Sequence, residues 1–340
     1  MTWVAQTPPQ AFIWRRLHSL TGIFLSLFLI EHLLVNSQAA LFFGHDGKGF
    51  VHSVNAIQNF PYLPVIELFL LGVPIFIHLV WGIKYLQTAA LNAHKTDGTT
   101  PSLPQYPRNH AYSWQRITSW ILLFGLLGHI VQMRFIDYPV SARVGTKQHY
   151  MVRLTMDNGL YTLAPRLGVK LYDENQVEMK TKETFSRIHD ATLGETWGAF
   201  AASIPKIFEK ELHKSQQLTT QELIYEQQKE ERLNWLKALK KLQLNKNEVI
   251  AVTDNFGTAE LLTVRDTFKS PFMIALYTIF VLAACYHGFN GLWTFMITWG
   301  VTLTALSQKF MRYLATGIMI VVSFLGLAAI WGTYWINLKS

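Results

Sequence analysis

An all-α membrane protein, with five transmembrane helices and a mixed α+β extramembrane insertion between the third and fourth, is the fold class that this sequence predicts. Three observations carry it. Half of the 340 residues are hydrophobic. The apolar residues gather into five runs, each near the roughly 20 residues that a helix needs to cross a hydrocarbon core. One polar stretch of the chain interrupts them. Hydrocarbon offers no water to peptide groups, so the five runs are helices and not strands.

The first run is Leu17 to Val35 (LHSLTGIFLSLFLIEHLLV) and the second is Pro64 to about Leu86. The third extends from Trp114 to about Phe135, the fourth from Pro271 to about Trp299, and the fifth from about Tyr313 to Ile336. The first is not expected to be a cleaved signal: it is too long, carries two histidines and a glutamate, and has no small-residue cleavage site after it. The single cysteine, Cys285, lies inside the fourth run and reads as a small buried hydrophobe.

A net charge of +8 raises nucleic acid or membrane topology as explanations. The distribution decides for topology. Arg15 and Arg16 precede helix 1, Lys84, Lys95 and Arg108 follow helix 2, and Lys309 and Arg312 separate helices 4 and 5. All of these fall on one side, which the positive-inside rule makes cytoplasmic, with the N-terminus inside and the C-terminus outside. No nucleic-acid motif is present.

The chain then divides into helices 1–3 over 1–136, an outer insertion over 137–270, and helices 4 and 5 over 271–340. In the insertion, HYMVRLTMDNGLYTLAPRLGVKLYDE alternates around turn signals and predicts one or two hairpins. About Thr219 to Leu244 predicts an exposed amphipathic helix, and VIAVTDNFGTAELLTV adds strands. Trp197, Phe200, Ile204, Ile207 and Phe208 supply apolar content, and no catalytic constellation is visible. His189 and His213 are far apart and read as solvated, and the insertion reads as a cap or interaction domain.

Four of the 12 histidines lie well inside apolar helices: His32, His78, His129 and His287. Ionisable groups at membrane depth are costly and usually functional. Helices 1 and 3 run outward; His32 lies 14 residues beyond His18, roughly 21 Å at 1.5 Å per residue, and His129 lies 13 beyond Arg116. Helices 2 and 4 run inward; His78 comes 14 residues after Pro64 and His287 comes 16 after Pro271. The histidines therefore sort into an outer pair, His32 with His129, and an inner pair, His78 with His287. Two stacked haems in a four-helix bundle, with a fifth helix beside it, have this layout. Gly82, Gly291 and Gly125 each stand four residues from a histidine, on the same face. They make room for a flat macrocycle or for close helix packing; His32 has Phe28 and Asn36 at those offsets instead. Two imidazoles per iron leave no open coordination position, so such centres pass electrons.

RRLHSLTGIFLSLFLIEHLLVN, PVIELFLLGVPIFIHLVWGIKY, WQRITSWILLFGLLGHI and YHGFNGLWTFMITWGVT resemble the first four helices of the di-haem cytochrome b subunit of succinate dehydrogenase, of the succinate:menaquinone type. The resemblance implies that His32 and His129 bind a distal b haem and His78 and His287 a proximal one. It implies a flavoprotein and an iron–sulfur subunit docked on the cytoplasmic face of the cell membrane. Electrons would then pass inward to outward and reduce menaquinone near the outer surface. The chain itself has no dinucleotide-binding glycine fingerprint and no cysteine cluster, so succinate oxidation falls to those partners. The insertion is much longer than the family's connection there, and Glu31 beside a ligand is unusual.

Around this frame, Arg15, Arg16 and His18 either hold a haem propionate or the iron–sulfur partner, or anchor helix 1 at the interface. Arg116 is a propionate candidate, because guanidinium pairs well with carboxylate. Glu67 and Glu31 are candidates for proton transfer at the quinone, and His52 for the quinone or a propionate. His45, His94, His110 and His149 read as surface residues, and Trp293 and Trp299 as packing or interface anchors. Two other functions compete: the di-haem cytochrome of a hydrogenase or formate dehydrogenase, and a haem-free transporter that relays protons through its histidines.

Overall fold

The computed structural model describes residues 9–41, 45–88, 97, 103–184, 186 and 220–339. His94, Lys95, His189, Trp197, Phe200, Ile204, Ile207, Phe208 and His213 lie outside the described residues. The chain divides into two compact units, Met1–Ile136 with Thr267–Lys339, and Asp137–Asp266.

The first unit holds five helices long and apolar enough to cross a membrane: Gln10–Ser37, Leu63–Thr88, Arg108–Ile136, Pro271–Thr298 and Ala305–Asn337. The chain is thus a multi-pass membrane protein of the predicted class. Four of the five outrun the apolar segment that announced them, because hydropathy marks only the part in hydrocarbon while capping residues set the ends; the fourth matches its segment. Pro107 starts the third span at the first helical position, where its missing N–H costs nothing. Ser270 caps the fourth span through Met273 N. Thr304 and Ser307 form a reciprocal capping box that starts the fifth span at Ala305, so Lys309 and Arg312 lie within its first turns instead of in a connecting loop.

Three spans contain a π-turn: Leu68–Gly72, Gln132–Ile136 and Ala328–Gly332. The first has a cause in the sequence. Pro74 has no N–H to give the carbonyl of Leu70, and its ring crowds that carbonyl, so the preceding turn widens. A short helix, Lys48–Gln58, sits in the connection between the first two spans with Phe50 buried. The sequence pattern did not announce it.

The spans pack in the ring order first, second, third, fourth, with the fourth returning to the first. The fifth lies against the first and fourth. Gly326 allows that contact, since a Cβ there would stand 2.5 Å from Val281 Cγ1 and 3.1 Å from Leu33 Cδ1. The first and fourth spans also meet closely where Ser26 Oγ, bonded to Gly22 O at 2.9 Å, reaches Gly288 O at 3.3 Å.

The second unit is built on a four-stranded antiparallel sheet in the order β1 (Val140–Val144), β2 (Lys147–Thr155), β4 (Glu248–Thr253), β3 (Lys170–Tyr172). Strand β4 is central and almost wholly buried, because both faces of the sheet are covered. Val152, Leu154, Val249 and Ala251 face Leu160, Leu163, Ala259 and Leu262 of helices Asn158–Arg166 and Phe256–Thr267. Met151, Ile250 and Val252 face Ala238 and Leu239 of helix Thr220–Lys241. This is the period of two of a strand, satisfied on both sides.

The stretch expected to hold one or two hairpins begins at His149, inside β2. Strand β2 instead makes its hairpin with the preceding β1, Met151 opposite Val140, while β2 and β3 each pair with β4 and not with each other. Two stretches expected as further strands are helices instead, and a cap explains each. Asp157 accepts from Leu160 N at 2.5 Å and turns NGLYTLAPR into a helix. Asn255 accepts from Thr258 N at 3.0 Å and does the same for FGTAELLTVRDT. A further helix over 174–184 begins at a reciprocal pair, Asp173 with Gln176. Glu231 ties the long helix to the β1–β2 turn. The Gly145 N–H donates to its carboxylate at 2.8 Å, and with Gln227 this holds the group below the usual carboxylate range.

Asp157 also stands 3.9 Å from the buried Arg265. Replacing it with alanine is expected to cost about 1–2 kcal/mol, the upper part of the range for a lost cap. A lowered unfolding midpoint of the purified protein would show it, and an unchanged midpoint would refute the capping role.

Candidate functional site

The ring order of the spans puts the first opposite the third and the second opposite the fourth. Across those diagonals the structure brings together the four intramembrane histidines. The rings of His32 and His129 lie 5.9 Å apart between centres and are inclined at 77°. Those of His78 and His287 lie 6.1 Å apart at 78°. All four are half-buried.

The two pairs occupy different levels. Thr21 and Gly22 of the first span lie against His78, ten or more residues before His32. Thr118 and Ser119 of the third span lie against His287, and His129 follows about three turns later. Tyr277 of the fourth span reaches His129, and His287 comes ten residues after it. Each count corresponds to about 15 Å along a helix.

Hydrogen bonds fix which ring nitrogen faces the partner histidine. His78 Nδ1 lies 3.1 Å from the carbonyl oxygen of His18, to which it can only donate. His287 Nδ1 lies 3.4 Å from both Thr118 Oγ1 and Ser119 Oγ. Those hydroxyls spend their protons on the carbonyls of Trp114 and Gln115, so they accept from the imidazole. His129 Nδ1 meets the Tyr277 hydroxyl at 3.1 Å. In all three the Nε2 is left as the nitrogen that could meet a metal, as when a hydrogen bond to one ring nitrogen turns the other toward an ion. His32 differs: the Asn36 amide bonds the His32 carbonyl at 2.8 Å and stands 3.5 Å from its Nε2.

Two metal–nitrogen bonds of about 2 Å, with roughly 1 Å from each nitrogen to its ring centre, make a span of about 6 Å. Both pairs match it. Among the described residues no three His, Cys, Asp or Glu side chains converge on a metal position. Each pair could offer two nitrogens, the number that suits an iron whose other four ligands belong to a macrocycle. Space is present as well: a Cβ at Gly291, one turn from His287 on the same face, would meet nothing within 4 Å, and neither would one at Gly128 beside His129. Gly125 serves packing instead, and Gly82 meets only an ordinary contact. A Cβ on Gly125 would stand 2.6 Å from the ring of Phe280, and the atom nearest to one on Gly82 is His18 Cε1, at 3.9 Å.

The other predicted residues separate. His18 stacks flat on His78, and its buried Nδ1 has no hydrogen-bond partner among the described residues. Arg116 lies over the ring of Tyr112 and bonds its hydroxyl, while its Nε is buried and likewise lacks a partner. Arg16 is used in packing: it donates to Thr298 O at 3.2 Å and lies between Phe12 and Trp299. Arg15 is exposed. Glu67 pairs with Arg134 at 3.2 Å, joining the second and third spans. Glu31 immediately precedes His32 in sequence but faces outward, in the exposed stripe of Phe24, Leu27 and Leu34. His45, His52 and His110 are exposed, His149 is half-buried on β2, and Trp293 is buried with Met311 and Ala315.

The sequence reading missed Tyr277, Thr118, Ser119 and Arg134. Its available signal was a polar side chain inside an apolar run; Tyr277 stands ten residues before His287, the interval between the two levels.

The chain is similar to the succinate dehydrogenase cytochrome b558 subunit of Bacillus subtilis (strain 168), with 21% identity over 320 residues covering 94% of this chain and 95% of that protein. No family model matches the sequence. No solved structure matches it.

Proposed function

We propose that this protein is the membrane-anchor cytochrome b subunit of a succinate:menaquinone oxidoreductase, with one b haem held by His78 and His287 and another by His32 and His129. The observation that carries the reading is the pair of histidine couples, each on diagonally opposed spans at the separation that one iron requires. The name and the near full-length coverage of the Bacillus subtilis relative support it. When bound, the haems would supply one-electron transfer across the membrane, from an iron–sulfur partner on the cytoplasmic face to menaquinone near the outer surface.

The chain's own residues hold and tune those centres. The His18 carbonyl and the Thr118 and Ser119 hydroxyls set the protonated nitrogen of two ligands, and Tyr277 bonds the Nδ1 of a third. Arg116 Nε, buried without a partner among the described residues, is a donor suited to a propionate of the inner haem. Arg16 and the other basic residues at the same ends of the spans orient the protein, with the N-terminus in the cytoplasm and the C-terminus outside. That orientation puts the 137–266 unit outside and the flavoprotein and iron–sulfur partners inside. The Glu67–Arg134 pair marks the outer end of the second and third spans, and there the carboxylate serves proton exchange with the quinone. Glu31, facing outward, is the weaker of the two proton candidates.

A proton relay between the two histidine levels has less support. From Trp120 to Gly128 the third span reads WILLFGLLG, with no polar side chain to continue a relay. A reduced-minus-oxidised spectrum with pyridine-haemochrome quantitation tests the proposal. Two b haems per chain are expected; protein purified without haem would sink it.

A further inference from the structure

The inner pair has a third histidine beside it, and its geometry is that of a built slot. The rings of His18 and His78 are 3.9 Å apart between centres and only 14° from parallel. The first span clears room for the imidazole of the second, and the second presents an ordinary van der Waals surface to that of the first. On the first span, Gly22 stands one turn after His18, and a Cβ there would lie 2.9 Å from His78 Cε1. On the second span, Gly82 stands one turn after His78, and His18 Cε1 is the nearest atom to a Cβ there, at 3.9 Å. Tyr85 closes the far edge, with its ring 5.4 Å from that of His18 and nearly perpendicular to it. The carbonyl of His18 holds His78 Nδ1 from the end of the same slot at 3.1 Å.

A single hydrogen bond to Nδ1 would leave the imidazole free to turn about the axis through its metal-facing nitrogen. A flat neighbour at van der Waals distance removes that freedom, because the ring can turn only by climbing over it. We infer that His18 is a positioning residue for His78: its ring fixes the plane of that imidazole, and so sets the near-perpendicular angle of 78° between His78 and His287. This rests on the reading that the inner pair ligates a haem.

The consequence is electronic. Two axial imidazoles in perpendicular planes each raise a different iron d orbital, so the two stay close in energy and the low-spin ferric centre is strongly anisotropic. Parallel planes raise one orbital alone and reduce that anisotropy. The angle is thus readable by electron paramagnetic resonance without any turnover.

The full-length protein carrying His18→Ala or His18→Phe tests this. The low-spin signal that survives in His129→Ala marks the inner centre. In His18→Ala, two haems per chain are expected, with the inner signal shifted toward smaller g anisotropy or broadened and its midpoint potential moved. In His18→Phe, which keeps a flat ring but no ring nitrogen, the wild-type inner signal is expected to return. Alanine without effect on that signal overturns the inference. Phenylalanine that behaves as alanine also overturns it, since the role would then belong to the ring nitrogens and not to the stack. Loss of the inner haem in both variants overturns it in favour of ligation by His18. Absence of haem from the wild-type protein fails the underlying reading instead, and the haem count separates the two failures.

Discussion

Replacing His129 with alanine is expected to leave one b haem per chain in place of two and to abolish menaquinone reduction while the inner centre remains reducible. The ring of His129 reaches across the bundle to within 5.9 Å of His32, and Tyr277 holds it from behind. On the proposed ligation the outer site would then keep one protein ligand and gain a void beside Tyr277 of the fourth span. Loss of an outer partner of a ligating histidine costs roughly 10–100-fold in affinity or activity, and loss of the ligand itself costs more. The inner pair lies about 15 Å away along the helices and shares no hydrogen bond with His129, so its spectrum persists. Haem content by pyridine haemochrome and quinone reductase rates in the assembled complex are the measurements. Two retained haems, or a rate equal to wild type, would falsify the assignment of the outer pair.

The histidine pairing was legible because it depends on one number, the rise per residue, counted from the ends of apolar runs. His32 with His129 and His78 with His287 follow from depth alone, and the fold brings the same residues together. What depends on lateral packing was not legible. Nothing in RRLHSL shows that His18 will lie flat on His78, since that requires the rotation of the first span against the second. The glycines illustrate the same limit. Gly291, Gly125 and Gly82 look alike in sequence, each four residues from a histidine, yet Phe280 fills the space at Gly125 and His18 lies against Gly82. Glu31 looked functional because it adjoins His32, but adjacent residues stand about 100° apart around a helix, and the carboxylate faces outward. In the insertion, the strands β2 and β4 followed their alternation, whereas Asp157 and Asn255 turned the next stretches into helices through capping bonds that hydrophobic pattern does not register.

Gly291→Leu is expected to remove the inner haem while leaving the helix bundle folded and the outer haem in place. Gly291 shares with Gly128 the open surroundings that Gly125 lacks: a Cβ there meets no heavy atom within 4 Å. The polypeptide alone therefore has room for a larger side chain at this position, and leucine is a better helix former than glycine by roughly 0.8–1 kcal/mol. Stability of the apoprotein should stay level or rise. The face is the one that carries His287, so an isobutyl group would project into the space beside the ligand where a flat macrocycle must lie. Gly125→Leu gives the opposite pattern, because its Cβ would already stand 2.6 Å from the Phe280 ring and the packing of the third and fourth spans would suffer directly. Measuring haem content and thermal unfolding side by side in the two variants separates clearance for a cofactor from clearance for a helix. If Gly291→Leu kept both haems at wild-type occupancy, the inner macrocycle would not lie on that face of the fourth span.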